Sequence, residues 1–498
     1  MPEYLRALIY ILIIATTFFA LARPTVITLV DAKDFTRRRN IWLCLTLAAF
    51  LANNFWIYAV ISIMLLVYAK NREPNPISLF LFILFILPVA TIQIPGMGII
   101  NFLFELSNVR ILELVILLPA YLHLIRQNDI RLFSSKGPDL AIAGYLILNA
   151  ILHLRDASLT ETLRQAFYLF IDAYLPYFVI SRSLNDIQTF RDALVSFVMA
   201  IMILAPLAAF ETLKHWHLYS RLTDVLQLHG VTGYLQRDNM LRAAVTAGEP
   251  IALGYLMTVG IGLYLFVQKS IKQKLIRRLG MALLIGGLIS SFSRGPWVGT
   301  AVLFVAFIAT GRYAVRRLIT LGLALIILSP VIPQLPGGKA FIQLMPFVGK
   351  TESYNVTYRE ELLTKSMIVI KRYPWFGSDN YRKTPEMQSM IQGEGIIDIV
   401  NTYIGIALDT GLIGLGLFVA FFTLVLLGIY RALRSSSDRD SDEYLLGRTL
   451  LVTLLSILII IFTVSSMTFI PIVYWSVAGL GVAYIQMMRK NAVLSTAA

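Results

Sequence analysis

Six arginines are the residues best suited to chemistry: Arg155, Arg164, Arg237, Arg242, Arg294 and Arg359. All fall in segments that the charge pattern assigns to one side of a membrane, opposite the Lys/Arg clusters. Arg294 sits at the tip between two apolar runs, and Arg164 and Arg242 adjoin the entrances to others. A guanidinium held at a membrane surface suits a diphosphate, because its planar fork makes bidentate, charge-assisted hydrogen bonds. The alternative for each is a side chain that snorkels to lipid headgroups or pairs with a nearby acid. No nucleotide-binding glycine motif, HExxH, Cys/His ligand cluster or outer Asp-x-Asp pair accompanies them. His215 and His217, two residues apart, would not share a helical face. A pump driven by nucleotide and a nucleotide-sugar enzyme therefore lack their usual residues. A reaction on an already activated, lipid-borne substrate fits better.

The elements that must position these arginines are membrane helices. The chain has 498 residues, 57% hydrophobic and 14% charged, which excludes a soluble domain and a disordered chain alike. About fourteen to fifteen apolar runs approach the roughly 20 residues that a helical span needs. None reads as the alternating strands of a membrane barrel. The fold class is all-α, a polytopic helical bundle whose backbone polar groups are satisfied within each helix. The net charge of +14 is assigned to cytoplasmic loops and not to nucleic acid. Arg37-Arg38-Arg39, Lys70 to Arg72, Lys269 to Arg278 and Arg312 to Arg317 then share the inner side, and the amino terminus lies outside. Asn53-Asn54 divides the run 41–69 into two helices. Ala20-Leu21-Ala22 resembles a signal-peptidase site, but cleavage there would begin Arg37-Arg38-Arg39 on the outer side, against the positive-inside rule. The single Cys44 excludes a disulfide within the chain.

This reading divides the chain into spans over 1–211, a medium outer loop over 212–248, core spans over 249–333, a large outer loop over 334–410 and spans over 411–498. The polar stretch 334–399 dominates, since a long loop on one side of a membrane protein is where function concentrates. Tyr354, Tyr358, Tyr373, Trp375, Phe376 and Tyr381 crowd it. Aromatic faces there could pack on pyranose rings. An interfacial belt is the alternative, and for Trp375 and Phe376 the safer one.

At these residues the chain resembles the O-antigen ligase/polymerase-like family. The resemblance is carried by Leu241-Arg242-Ala243-Ala244 with Pro250, by Ser291-Phe292-Ser293-Arg294-Gly295, and by Arg359 followed by Tyr373-Pro374-Trp375-Phe376-Gly377. Asn401-Thr402-Tyr403 with Leu412-Ile413-Gly414-Leu415 completes it. It covers about 230–430 in residue detail and the remainder by architecture. It implies a metal-independent, inverting glycosyltransferase without cofactor in the bacterial inner membrane. Such an enzyme takes a glycan from undecaprenyl diphosphate at the periplasmic face, among membrane lipids and with a chain-length regulator protein as a further partner. It implies that Arg242 and Arg359 bind the diphosphate, and that Arg294 joins them or braces the site. Where the family often carries His before this Asn, the chain has Val400. A general base must then come from Glu394, Asp398 or Glu249, with Glu211 a further candidate. Arg partnership is the competing role for each. Arg164, Arg237, Glu211, Tyr358, Trp375, Asn401 and Tyr403 are the expected substrate-binding set.

The expected reaction is polymerisation, in which the growing glycan moves to the non-reducing end of an incoming lipid-linked repeat unit. The missing His weighs against the rival ligase reaction, with a lipid A-core or protein acceptor. A transporter or flippase of lipid-linked oligosaccharide is the rival from another class. It would need ionisable residues in mid-membrane, and Glu113, Asp172 and Asp409 are the few available.

Overall fold

The computed structural model describes the chain except residues 99, 127–135, 156, 229–234, 238–239, 335–352, 393–394, 437 and 498. The candidate base Glu394 falls outside the described residues. The fold is the expected all-α polytopic bundle. It opens with α1 (Glu3–Val26), α2 (Ala32–Leu51), α3 (Phe55–Lys70) and α4 (Pro76–Ile83). Asn53-Asn54 makes the expected turn: Asn53 has φ of 51°, and the Asn54 side chain accepts from the Trp56 N–H to start α3. An unforeseen hairpin follows, β1 (Thr91–Pro95) against β2 (Phe102–Ser107). Then come α5 (Asn108–Arg126), α6 (Lys136–His153), and α7 (Leu159–Leu169), which runs through a π-turn into α8 (Leu175–Ser183).

The central pair is α9 (Ile187–Lys214) and α10 (Pro250–Ser270), whose apolar windows are 83% and 94% buried. Between them lies a two-residue hairpin, β3 (Gln236–Arg237) with β4 (Met240–Leu241). Around α10 pack α9, α11 (Lys274–Ser290), α12 (Arg294–Ala309) and α16 (Asp442–Ile460). After α12 come α13 (Ala314–Leu328) and α14 (Ser353–Arg372). Next are α15 (Thr402–Ser435), which packs on α6, and after α16 the last helix α17 (Ile470–Ala497), which packs on α8.

Seven of the described helices are long and apolar enough to cross a membrane, and α3 and α12 are shorter apolar helices. The difference from fourteen to fifteen runs is physical. The run 77–93 forms only the eight residues of α4 before turning irregular and extended, and α11 has 17 residues with charge in its first turns. Loops assigned to one side do meet. Asp442 pairs with Arg191 at 2.7 Å and with Lys269 at 2.8 Å, and Asp440 pairs with Arg312 at 3.1 Å. On the opposite face Glu3 binds Trp216 at 2.8 Å and Arg221 at 3.1 Å. The amino terminus and the 212–248 loop therefore share a face. Arg38 is not a headgroup-facing charge: it is buried against Glu73 and Asp192 at 2.5 and 2.6 Å.

Candidate active site

The medium loop is held at both ends by one carboxylate. Glu211 in α9 is fully buried. Its Oε1 accepts from the Leu218 N–H at 2.9 Å, and its Oε2 from the Ala244 and Val245 N–H groups at 3.1 and 3.0 Å. His217 Nδ1 lies 3.0 Å from the same oxygen. Backbone donors arranged this way fix the chain between them. Glu211 thus clamps the chain at the site's edge, where the sequence suggested a substrate ligand.

The clamp delivers β3 and β4 to the turn between α11 and α12. Arg237 Nη1 donates to the Phe292 carbonyl at 2.5 Å, while Arg242 Nη2 donates to Ser293 Oγ at 3.1 Å. The Ala243 N–H reaches the Ser290 carbonyl at 3.0 Å. Arg294 opens α12 directly after this turn, with Pro296 in the first turn, where no amide proton is needed. Thr258 of α10 donates to the Pro296 carbonyl at 3.1 Å and pins that end in place. Val245 and Phe292 both have left-handed backbone, with φ of 50° and 44°. Such strain in a bulky residue persists only where its surroundings enforce it.

Arg359 reaches the same place from α14. Its Nη2 donates to the Thr463 carbonyl at 3.3 Å, in the link between α16 and α17. The Thr463 side chain lies against Gly295, so closely that a Cβ on that glycine would overlap Thr463 Oγ1. Arg242, Arg294 and Arg359 are thereby joined through Ser293, Gly295 and Thr463. The candidate base Asp398 belongs to this assembly: its Oδ1 accepts from Ser465 Oγ at 2.9 Å. Tyr358, buried beside Arg359, donates to the Asp398 carbonyl at 3.0 Å and braces the segment from beneath.

The other expected residues serve structure or lie elsewhere. The Asn401 side chain caps α15 by accepting from the Tyr403 and Ile404 N–H groups at 2.9 and 3.1 Å. Tyr403 Oη donates to the Leu458 carbonyl at 2.9 Å. Arg164 is committed to the first hairpin, donating to the Phe102 and Leu103 carbonyls at 2.7 and 3.0 Å with its guanidinium over the Phe102 ring. Trp375 is 64% exposed. Glu249 is half-buried at the N-cap of α10 without capping it. Outside the spans, the Arg372 guanidinium holds the Glu386 carboxyl below its usual range.

Tyr373-Pro374-Trp375-Phe376-Gly377 acts through its backbone. The Pro374 and Trp375 carbonyls accept from the Leu412 and Ile413 N–H groups at 2.7 and 3.3 Å, and the Ser378 N–H donates to the Leu408 carbonyl at 2.8 Å. These bonds are open because α15 breaks at Gly411, with φ of 68° and ψ of −170°. The motif is the dock that ties the large loop to a membrane helix.

Residues 279–419 match the family model described as O-antigen ligase. The chain is O-antigen ligase-like over this stretch. It holds Arg294, Arg359, Asp398, the docking motif and Gly411, which supports a function of O-antigen ligase or polymerase type. No curated protein matches the chain. Arg237, Arg242, Glu211 and the 461–469 link lie outside the O-antigen ligase-like stretch, and the fold brings them to it. The link is what sequence reasoning missed. Its one signal was the density of hydroxyls, Thr463, Ser465, Ser466 and Thr468, at the end of an apolar run. Among the described residues no group of three or more His, Cys, Asp or Glu side chains could hold a metal ion.

Proposed function

We propose that this protein is an inverting glycosyltransferase of the bacterial inner membrane that polymerises a surface polysaccharide at the periplasmic face. The observation that carries the reading is the convergence of Arg242, Arg294 and Arg359, from three separate segments, on the Ser293–Gly295 turn and Thr463. Arginines brought to one turn suit the diphosphate of an undecaprenyl-linked glycan. The negative charge that develops on that diphosphate as the glycosidic bond breaks is stabilised best by donors already in place. Asp398 takes the proton of the acceptor hydroxyl. The hydroxyl oxygen bonds to the anomeric carbon, the bond to the phosphate oxygen breaks with its electron pair, and undecaprenyl diphosphate leaves.

The family match is compatible with both the polymerase and the ligase reading. Val400, which stands where the family often carries His, favours the polymerase. The test is to incubate purified protein with undecaprenyl-diphosphate repeat units extracted from its host, without nucleotide or divalent metal. A ladder of lengthening glycans is expected. Product only on addition of lipid A-core would make the protein a ligase. Neither product, together with movement of the lipid across a liposome bilayer, would replace the enzyme with a transporter.

A further inference from the structure

The link between α16 and α17, residues 461–469, touches each part of the site, although it lies outside the O-antigen ligase-like stretch. The Ile461 carbonyl accepts from the Thr402 N–H at 3.0 Å, and the Val464 carbonyl from Thr402 Oγ1 at 2.8 Å. These bonds tie the link to the start of α15, four residues beyond Asp398. Thr463 meets Arg359 through its carbonyl and Gly295 through its side chain. Ser465 holds Asp398 Oδ1. At the far end Thr468 adopts φ of 50°, strained for a β-branched residue, with its methyl beside Gly248 next to the candidate Glu249. A loop that only joined two spans would not need hydroxyl or carbonyl contacts with three distant segments.

We propose that this link is a positioning element for the transfer, in which Ser465 orients Asp398 toward the acceptor hydroxyl and the Thr463 carbonyl fixes Arg359 beside Arg294. The inference rests on the glycosyl-transfer reading with Asp398 as base. With Oδ1 engaged by Ser465, Oδ2 is the oxygen that receives the acceptor proton. Ser465 is then a positioning residue, because it touches the base and not the substrate. Among the described residues, Tyr358 on α14 meets the Asp398 carbonyl, and the Arg382 charge, from the turn Tyr381–Lys383, acts on the same residue.

The experiment measures transfer kinetics with the host's extracted undecaprenyl-diphosphate repeat unit for wild type, Ser465→Ala, Ser465→Thr, Asp398→Ala and the double variant Ser465→Ala/Asp398→Ala. Ser465→Ala is expected to lower kcat about 10- to 100-fold with KM for the lipid donor unchanged, the scale of a misplaced catalytic group. Ser465→Thr restores the hydroxyl and the rate. In the Asp398→Ala background, loss of Ser465 has no further effect, because the two act as one unit. A Ser465→Ala enzyme with wild-type kcat, beside an inactive Asp398→Ala, overturns the positioning role and leaves the base in place. Full activity of Asp398→Ala overturns both. A drop in thermal stability that tracks the loss of kcat, without rescue by Ser465→Thr, reduces the link to packing and overturns the proposal.

Discussion

Glu211 ends its apolar span as a catalytic carboxylate would, yet its oxygens are occupied by Leu218, His217, Ala244 and Val245. Burial and partners decided its role, and neither is visible in residue order. Arg242, Arg294 and Arg359 were singled out by the family resemblance, and the structure brings their segments to one turn. Two predictions belong at this scale. Glu211→Ala strands three buried backbone N–H groups, at about 1–3 kcal/mol each. It should release the outer segment, read as a lowered Tm and faster tryptic cleavage after Arg221 and Arg237. Arg242→Ala, Arg294→Ala and Arg359→Ala should each cut transfer by about 100- to 1,000-fold, the usual loss for one donor to a developing negative charge. Membrane insertion should be unchanged in all three. Normal polymer from the three variants would remove the diphosphate from this site.

Gly411 marks where sequence and structure part at the level of elements. The run 411–430 reads as the span because Asp409 and Thr410 interrupt apolar composition, but α15 begins at Thr402 and passes through the break. The interruption is the docking point for residues 373–377, and its bonds are backbone bonds that no side-chain pattern announces. The hairpin of β1 and β2 escaped notice similarly, since two short strands around Gly96 and Gly98 look like any loop. Gly411→Ala tests the dock. Its φ/ψ region is nearly exclusive to glycine and costs other residues about 1–3 kcal/mol, and a Cβ there would overlap the Trp375 carbonyl. A lowered Tm and tryptic cleavage at Lys371 and Arg372 are expected, with less polymer because α14 carries Arg359. A variant as stable as wild type would show that the large loop is held by other contacts, such as those of Tyr358.

At the scale of the whole molecule, the question is which way the site faces. Exposed pairs such as Lys269 with Asp442 and Arg312 with Asp440 add little stability, about 0–1 kcal/mol each. Their value here is geometric, because they bring the basic loops together on one face. Under the proposed function the positive-inside rule makes that face cytoplasmic and turns the three arginines to the periplasm. Arg359 and Arg242 do not break that rule, since long outer loops may carry positive charge without setting orientation. Cys44 is the only cysteine in the chain, so a Cys44→Ser background permits a direct reading. Both Ser389, in the large loop, and Lys272, between α10 and α11, are exposed. A membrane-impermeant maleimide applied to spheroplasts should label Ser389→Cys at once and Lys272→Cys only after lysis. The opposite pattern would turn the arginines toward the cytoplasm. Substrates already carried across the membrane would then be out of reach, and a site built from Arg242, Arg294 and Arg359 would have to act on a lipid-linked glycan before its export.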